Sequence, residues 1–121
     1  MAATAIAEQP VLGAYVKEGE DQFTTLTMTE SDPTNMNKIV MSSGRCLVIF
    51  QNTDAVNAEW VTVDASDDPF GRATNITEQD IAASGWAAYI FEPRGWEQTL
   101  GGRDLLIDTE STDVDILAIP L

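Results

Sequence analysis

Acidic side chains are the most abundant groups in this sequence that could do chemistry. The chain has 20 Asp and Glu residues against six Lys and Arg residues, and it has no histidine. Without histidine, the Ser-His-Asp and Cys-His nucleophile systems and the usual zinc ligand sets are excluded. Two carboxyl groups could still act as an acid and a base, as in glycoside hydrolysis. The candidates are Asp64, Asp67, Asp68, Glu78, Asp80, Asp104, Asp108, Glu110, Asp113 and Asp115.

So many acids in a small chain bring some carboxyl groups together by chance. We therefore interpret them as a solvated acidic surface, and we predict no catalytic residue and no enzyme activity. The segment DASDDPFG resembles the start of a calcium-binding loop, with possible ligands at Asp64, Ser66 and Asp68. Pro69 stands where such a loop requires glycine, and Asn75 where it requires a bidentate glutamate. No glycine-rich phosphate-binding loop is present either, so we predict no metal and no cofactor.

Cysteine and tryptophan are the remaining candidate groups. Cys46 lies in an apolar run, which favours a small buried hydrophobe over a nucleophile. A single cysteine cannot form an internal disulfide, so the sequence is not that of a disulfide scaffold. Trp60, Trp86 and Trp96 could stack on sugars, but in a chain this short they are more typical of core or interface anchors. We expect Trp96 to be the one nearest the surface.

Composition and charge restrict the class of protein. The chain has 121 residues, of which 44% are hydrophobic, and its formal net charge is -14. These values predict one folded domain with a substantial core. The negative surface repels phosphate and anionic lipid, which argues against nucleic acid and membrane as partners. The N-terminus lacks the basic start and long apolar run of a signal peptide, so we expect synthesis in a reducing cytoplasm.

The segment from Arg45 to Ala65 is the strongest structural signal. Its apolar runs Cys46 to Phe50 and Trp60 to Val63 are separated by a polar stretch, which predicts an antiparallel hairpin with a longer loop. Both faces of the first run are apolar, which indicates a central strand. Further strands are predicted at Gln22 to Thr29, Lys38 to Met41, Trp86 to Phe91, Trp96 to Leu100, Arg103 to Asp108 and Asp113 to Ile119, with a single helical turn beginning at Thr77.

Short strands separated by turn residues at this spacing predict an all-β protein. We expect an antiparallel β-sandwich or a small jelly-roll-like barrel of about seven to nine strands. Residues 23–121 form this single β domain, and residues 1–22 form an extended N-terminal arm. The arm carries isolated apolar residues that could attach to a neighbouring molecule, namely Ile6, Val11, Leu12 and Tyr15.

The order of motifs from residue 45 to the C-terminus resembles that of small structural proteins of tailed bacteriophages, the head decoration or cement proteins. The matching features are QNTDA (51–55), EWVTVDA (59–65), DPFGR (68–72), NITEQDIAASG (75–85), the WEQ segment (96–98), a Gly-Gly turn, LLID (105–108) and a terminal strand ending in ILAIPL. These motifs are turns and core segments, so no functional residue is carried over from the family. The first 44 residues add nothing to the resemblance.

This resemblance implies a protein that binds the outside of a phage capsid and stabilises the shell. Its partners would be the major capsid protein and sister copies in a homo-oligomer, a trimer. Its location would be the virion exterior after synthesis in the bacterial cytoplasm. We expect the interface to include Ile6, Val11, Leu12, Tyr15 and Trp96. The alternatives are a head-tail connector or tail component, and a carbohydrate- or receptor-binding β module that would need Trp86, Trp96 or Tyr89 exposed in a groove.

Overall fold

The structure, a computed structural model, describes residues 3–11, 24–41, 44–65, 75–96 and 104–121. These residues form nine strands and one helical turn. They are β1 (Thr4–Ala5), β2 (Thr29–Glu30), β3 (Asn37–Val40), β4 (Cys46–Asn52), β5 (Glu59–Val63), β6 (Ile76–Ile81), β7 (Trp86–Phe91), α1 (Pro93–Trp96), β8 (Asp104–Thr109) and β9 (Val114–Pro120).

The strands form two sheets that face each other across one core. One sheet has five strands in the order β1-β3-β8-β5-β6, and the other has four in the order β2-β9-β4-β7. All pairs are antiparallel except β1 with β3. The two sheets stay separate in the described chain, so of the two predicted architectures the sandwich is confirmed.

Alternating side chains explain the core. Along β4 and β8 every second residue is buried, as expected for strands with one face against the opposite sheet. The inward residues of both sheets form one cluster, which includes Ile39, Met41, Cys46, Val48, Val63, Phe91, Leu105, Ile107, Val114 and Ile116, each at most 1% exposed. Cys46 is therefore the buried hydrophobe that its sequence context predicts.

The first described residues run from one sheet to the other. The backbone N–H of Thr4 donates to Met36 O at 3.0 Å, beside the five-stranded sheet, and the N–H of Gln9 donates to Ala118 O at 2.8 Å in the four-stranded sheet. The side-chain amide of Gln9 then donates to Thr27 O and accepts from Thr27 N–H, at 2.6 and 2.9 Å. This segment closes one side of the sandwich.

Ile6 lies in the middle of that crossing and is 2% exposed, within the core cluster. The chain's own core therefore covers this side chain, and its predicted contact with a partner stays a prediction that its burial does not favour. Val11 is 52% exposed and remains available. Leu12 and Tyr15 lie outside the described residues, as does the predicted turn at 66–72.

The predicted hairpin between the two apolar runs is wrong. β4 pairs with β7 and β9, whereas β5 pairs with β6 and β8, so the two runs lie in opposite sheets. The connecting residues cross between the sheets, and the buried amide of Asn52 fixes this crossing. Its Nδ2 donates to Asn57 O and Ile81 O, each at 3.0 Å. The prediction that β4 is central in its sheet is confirmed.

The predicted helical turn at Thr77 is also wrong, because that segment is strand β6. Its acidic residues are exposed on an edge strand rather than placed at a helix N-terminus. The strand predictions at β3, β7, β8 and β9 are confirmed to within two residues at each end. The predicted strand beginning at Trp96 is wrong at that residue, which ends α1, and residues 97–100 lie outside the described chain.

Candidate functional site

The outer side of the four-stranded sheet carries an unusual number of apolar side chains. Cross-strand neighbours on this side are Leu47 with Ile90, and Ile49 with Ala88, because directly opposite residues of an antiparallel pair share a face. Trp86, opposite Gln51, continues the row along β7. We call Leu47, Ile49, Trp86, Ala88 and Ile90 the apolar face.

The exposed part of this surface is its β7 half. Trp86 is 61% exposed and Ile90 47% exposed, and Ala88 is also exposed. Leu47 and Ile49 on β4 are half-buried. On the β9 side of the same surface, Leu117 and Ile119 are buried although they stand outside the core cluster. The apolar face therefore opens toward the edge of the sandwich.

The alternation of hydrogen bonds between β4 and β7 shows which backbone N–H and C=O groups of β7 point away from β4. Asn52 N–H donates to Gly85 O at 2.9 Å, so the even-numbered residues of β4 point their backbone groups at β7. In an antiparallel pair their partners, Ala87, Tyr89 and Phe91, point back at β4. The N–H and C=O groups of the intervening residues, Trp86, Ala88 and Ile90, consequently point away from β4. Among the described strands, β4 is the one neighbour of β7.

An apolar cavity lies beside this edge, where β6 and β7 face each other across the open side of the sandwich. Its volume is about 120 Å³. The lining residues are Phe50, Val61, Val63, Ile76, Gln79, Ile81, Ala87, Ala88, Tyr89 and Phe91. Gln79 is the polar side chain of this lining, so the cavity suits hydrocarbon far better than a sugar or an ion.

Trp96, expected near the surface, is 6% exposed. Its ring packs edge-on against Phe91 at a centroid distance of 5.0 Å and against Tyr89 at 5.9 Å. The expectation that Trp96 lies nearest the surface of the three tryptophans is therefore wrong, and its contact with a partner stays a prediction that this burial does not favour. α1 turns the ring inward, where aromatic edge-to-face packing stabilises it.

The exposed aromatic residues of β7 do not form one sugar-binding platform. Trp86 and Tyr89 are separated by an odd number of positions, so their side chains lie on opposite faces of the strand. Trp86 belongs to the apolar face, and Tyr89, 48% exposed, lines the apolar cavity. A stacking site for carbohydrate needs an aromatic platform with polar groups around it, and the described part of β7 does not offer this arrangement.

A group of three acids lies just beyond the C-terminal end of β4. Asp54, Glu59 and Asp113 place one carboxylate oxygen each within 4.8 Å of one another. Oxygen sets of this kind can hold calcium or magnesium. However, Asp54 Oδ1 already accepts the backbone N–H groups of Val56 and Asn57, at 2.8 and 3.1 Å. The carboxylate group is thus used to shape the turn, and proximity alone does not make a metal site.

Electrostatics within this group differ from one acid to the next. The hydrogen bonds from Val56 and Asn57 lower the pKa of Asp54. Burial of Glu59, which is 6% exposed, raises its pKa, and the charge of Glu110 raises it further. Glu59 therefore releases its proton less readily than Asp54 does.

Cys46 is not poised for nucleophilic chemistry. Burial, followed by the nearby charge of Glu8, raises the pKa of the Cys46 thiol to about 12. The thiolate is the reactive form, and it is negligible at neutral pH with such a pKa.

Of the five residues of the apolar face, the sequence singled out only Trp86, as a core or interface anchor or a sugar-stacking residue. A signal for the others was present, because the WAAYIF segment of β7 and the first run of β4 are apolar on both faces. In the first run of β4 this pattern indicates a central strand, and it does not by itself predict an exposed apolar surface.

No protein-family model matches this chain, and neither curated proteins nor solved structures include a significant match. In the residues that the structure describes, no helix combines the length and apolar content required to cross a bilayer.

Proposed function

We propose that this protein is a non-enzymatic structural protein that binds the outer surface of a phage capsid, and that the apolar face is its attachment surface. The observation that carries the proposal is the exposure of Trp86 and Ile90 next to Leu47 and Ile49, in an uncharged part of a chain whose net charge is -14. The proposal unites this surface with the resemblance to head decoration proteins.

The composition of the apolar face suits an interface core. Contiguous exposed apolar patches on soluble proteins commonly mark interaction sites. Interface cores are depleted in charged residues and enriched in aromatic ones, and a central tryptophan is a typical hot spot. The apolar face has no charged member, and Trp86 is the most exposed of its large side chains.

The rigidity of the surface also supports attachment. β4 pairs with a neighbour on each side over nearly its whole length, so its outward side chains are held in place before binding. Pre-organised side chains lose less entropy on association. A moderate contact of this kind, repeated over many copies on a lattice, gives strong overall attachment. The negative charge elsewhere keeps the unbound protein soluble.

The partner in this proposal is the major capsid protein, and on the capsid surface the copies of the chain assemble into a homo-oligomer, a trimer as in the family that the chain resembles. The N-terminal segment contributes through Val11 rather than Ile6. Deleting the chain through Gln9 would remove Ile6 from the core and is therefore a poor test of attachment. Val11→Ser changes an exposed residue and leaves the closure of the sandwich intact.

The experiment is co-sedimentation of the protein with capsids that lack their decoration protein. The test variant is Ile49→Gln, which places an amide in the middle of the apolar face without changing charge. The matched control is Leu106→Gln, which makes the same kind of change at a half-buried outward position of β8, the central strand of the five-stranded sheet. Both variants should show the circular dichroism of the unmodified protein.

We expect saturable binding of the unmodified protein and of Leu106→Gln at a fixed ratio to capsid subunits, with at least a tenfold loss of affinity for Ile49→Gln. Equal binding of the two variants would remove the apolar face from the proposal. Absence of binding by the unmodified protein would reject the capsid function itself.

A further inference from the structure

The edges of the two sheets differ in how they resist pairing with other chains. β6, the last strand of the five-stranded sheet, carries Glu78, Gln79 and Asp80 in succession. Glu78 has a positive φ of 46°, and the register of the strand shifts between Val61 and Val63 of β5. Charges and irregular geometry of this kind are the usual means of protecting a sheet edge.

β7, the last strand of the four-stranded sheet, has none of these protections. All six of its residues, WAAYIF, are uncharged, and none is proline or glycine. Its register with β4 is continuous from Trp86 to Phe91. Long, regular and apolar edge strands pair readily with another strand. The two remaining edges, β1 and β2, are two residues long each.

We propose that β7 is a self-association site at which two copies of the chain pair antiparallel about a two-fold axis. The pairing extends the four-stranded sheet across both copies into one continuous eight-stranded sheet. It goes beyond the proposed function and does not depend on it, because it requires no capsid.

The second copy is the occupant because β7 is complementary to itself. An incoming strand must be apolar on both faces, since β7 presents Trp86 and Ile90 on one face and Tyr89 on the other. A partner attracted by the charge of this chain would instead be basic, and β7 offers it no acid. A second copy supplies the required strand at the same place, with an edge that no other described strand occupies, which is the condition for an isologous contact.

The hydrogen-bond phase selects the register. The outward-pointing backbone groups belong to Trp86, Ala88 and Ile90. Opposite residues in an antiparallel pair share a face, so Ala88 lies opposite Ala88 of the second copy, and Trp86 lies opposite Ile90 of the second copy. This register makes about six new N–H···O bonds across the two-fold axis. It also joins the apolar faces of the two copies into one surface.

The central pair of this register gives a direct test. Ala88 is exposed and uncharged, and its own N–H points away from β4, so Ala88→Lys and Ala88→Glu leave the core and the β4 hydrogen bonds unchanged. In either variant alone, like charges meet on the two-fold axis and destabilise the pair. In a mixture of the two variants, opposite charges meet at the same position.

The measurement is sedimentation velocity of the full chain over a wide range of concentrations. We expect a monomer-dimer equilibrium for the unmodified protein, at least about fivefold weaker dimerisation for each Ala88 variant alone, and recovery in the equimolar mixture. Thr77→Lys, which adds the same charge to the edge of β6, is the control and should dimerise like the unmodified protein.

Amide hydrogen exchange followed by NMR provides a second measurement that needs no variant. The amides of Trp86, Ala88 and Ile90 should become protected as concentration rises, whereas the amides of β6 should not. A monomer at every concentration, a trimer without a dimer, unchanged dimerisation of both Ala88 variants, or failure of the mixture to recover would each overturn the proposal.

Discussion

Asn52 is the residue whose replacement should damage this fold most for its size. It is fully buried at the end of β4. Its Nδ2 donates to the carbonyl oxygens of Asn57, Ile81 and Ala82 at 3.0, 3.0 and 3.3 Å. Its Oδ1 accepts the N–H of Asp54 at 2.9 Å. Because Ile81 ends β6 in the other sheet, one side chain links the two layers.

The loss of stability expected for Asn52→Ala follows from these contacts. Each hydrogen bond contributes about 1 kcal/mol net, and each buried carbonyl left without a donor costs roughly 1 to 3 kcal/mol. Since water can reach part of the turn, we expect a loss of about 3 to 5 kcal/mol in the free energy of unfolding. A domain of this size has a total of roughly 5 to 15 kcal/mol, so the variant should be folded but fragile.

Asn52→Asp separates hydrogen bonding from shape. The carboxyl group has the same outline and can still accept from the Asp54 amide, but it turns an oxygen toward the carbonyls of Asn57 and Ile81. Burial and these carbonyls hold the pKa of the introduced carboxyl above its ordinary value. The folded state then binds the proton more tightly than the unfolded state does. The destabilisation should therefore grow as pH rises above the ordinary range of aspartate and shrink as pH falls.

The assay is urea denaturation followed by tryptophan fluorescence, at neutral pH and near pH 4. Asn52→Ala should lower the midpoint by about 2 M at an ordinary m-value. Asn57→Ala, an exposed change in the same turn, should stay within about 0.5 kcal/mol of the unmodified protein. A loss below about 1 kcal/mol for Asn52→Ala, or pH-independent destabilisation by Asn52→Asp, would refute the reasoning.

Two further substitutions test the same end of the sandwich. Glu59→Gln should raise the melting temperature at pH 7 and make it depend less on pH. Burial and the charge of Glu110 raise the pKa of Glu59, so the unmodified protein loses stability as pH rises above 4.5. An unchanged melting temperature at pH 7 would contradict this. Gly85→Ala should lose about 1 to 3 kcal/mol in chemical denaturation, because a Cβ there lies 2.7 Å from Ala82 O. Ser84→Gly is the control, because Ser84 has a φ of 58° that glycine adopts more easily, and its free energy of unfolding should rise by up to about 1 kcal/mol. Equal effects of the two substitutions would show that crowding at Gly85 is not the cause.

Most strand positions could be predicted from the sequence because they depend on local pattern, although the strand predicted at Gln22 to Thr29 is wrong for residues 24–28 and is present only at Thr29. β8 alternates half-buried and buried residues along its whole length, whereas β9 alternates only at its start and then has four buried residues in succession; the structure confirms both strands. Strand partners could not be predicted in the same way. The polar residues between β4 and β5 are equally compatible with a hairpin and with a crossing between sheets. The crossing between sheets is stabilised by the buried amide of Asn52, whose hydrogen-bond partner Ile81 is distant in sequence.

The failed helical turn has a similar cause. A threonine followed by acids is typical of a helix N-terminus, and it is equally typical of an edge strand that is protected by charge. Glu78 and Asp80 have the second role in β6, where β5 supplies the pairing. Local sequence could not distinguish them, because the choice depends on which strand lies alongside.

The sequence did not reveal the apolar face, because an apolar strand was interpreted as buried as a whole, without separating the face toward the core from the outer face. A strand that is apolar on both faces predicts that each face meets something apolar, and the four-stranded sheet has only one face toward the core. At Ile6 and Trp96 the sequence favoured a position at the surface, but both side chains are buried. Both are single large apolar residues among small or polar neighbours in sequence. An apolar residue in that setting either anchors a partner or fills a gap in its own core, and only the packed structure separates the two.

The two sides of the sandwich, along which the edge strands lie, differ in how far they are closed, and this difference explains where attachment can occur. One side is closed by the N-terminal segment, whose Ile6 enters the core. The other side, between β6 and β7, keeps an apolar cavity of about 120 Å³. β6 is protected there by its acids, whereas β7 combines a regular edge with the apolar face. Burying an unpaired carboxylate in a contact costs several kcal/mol, so a chain with so many acids needs a surface without them in order to bind anything by apolar contact. β7 and the adjoining part of β4 are such a surface, which is why both proposals place their contacts there.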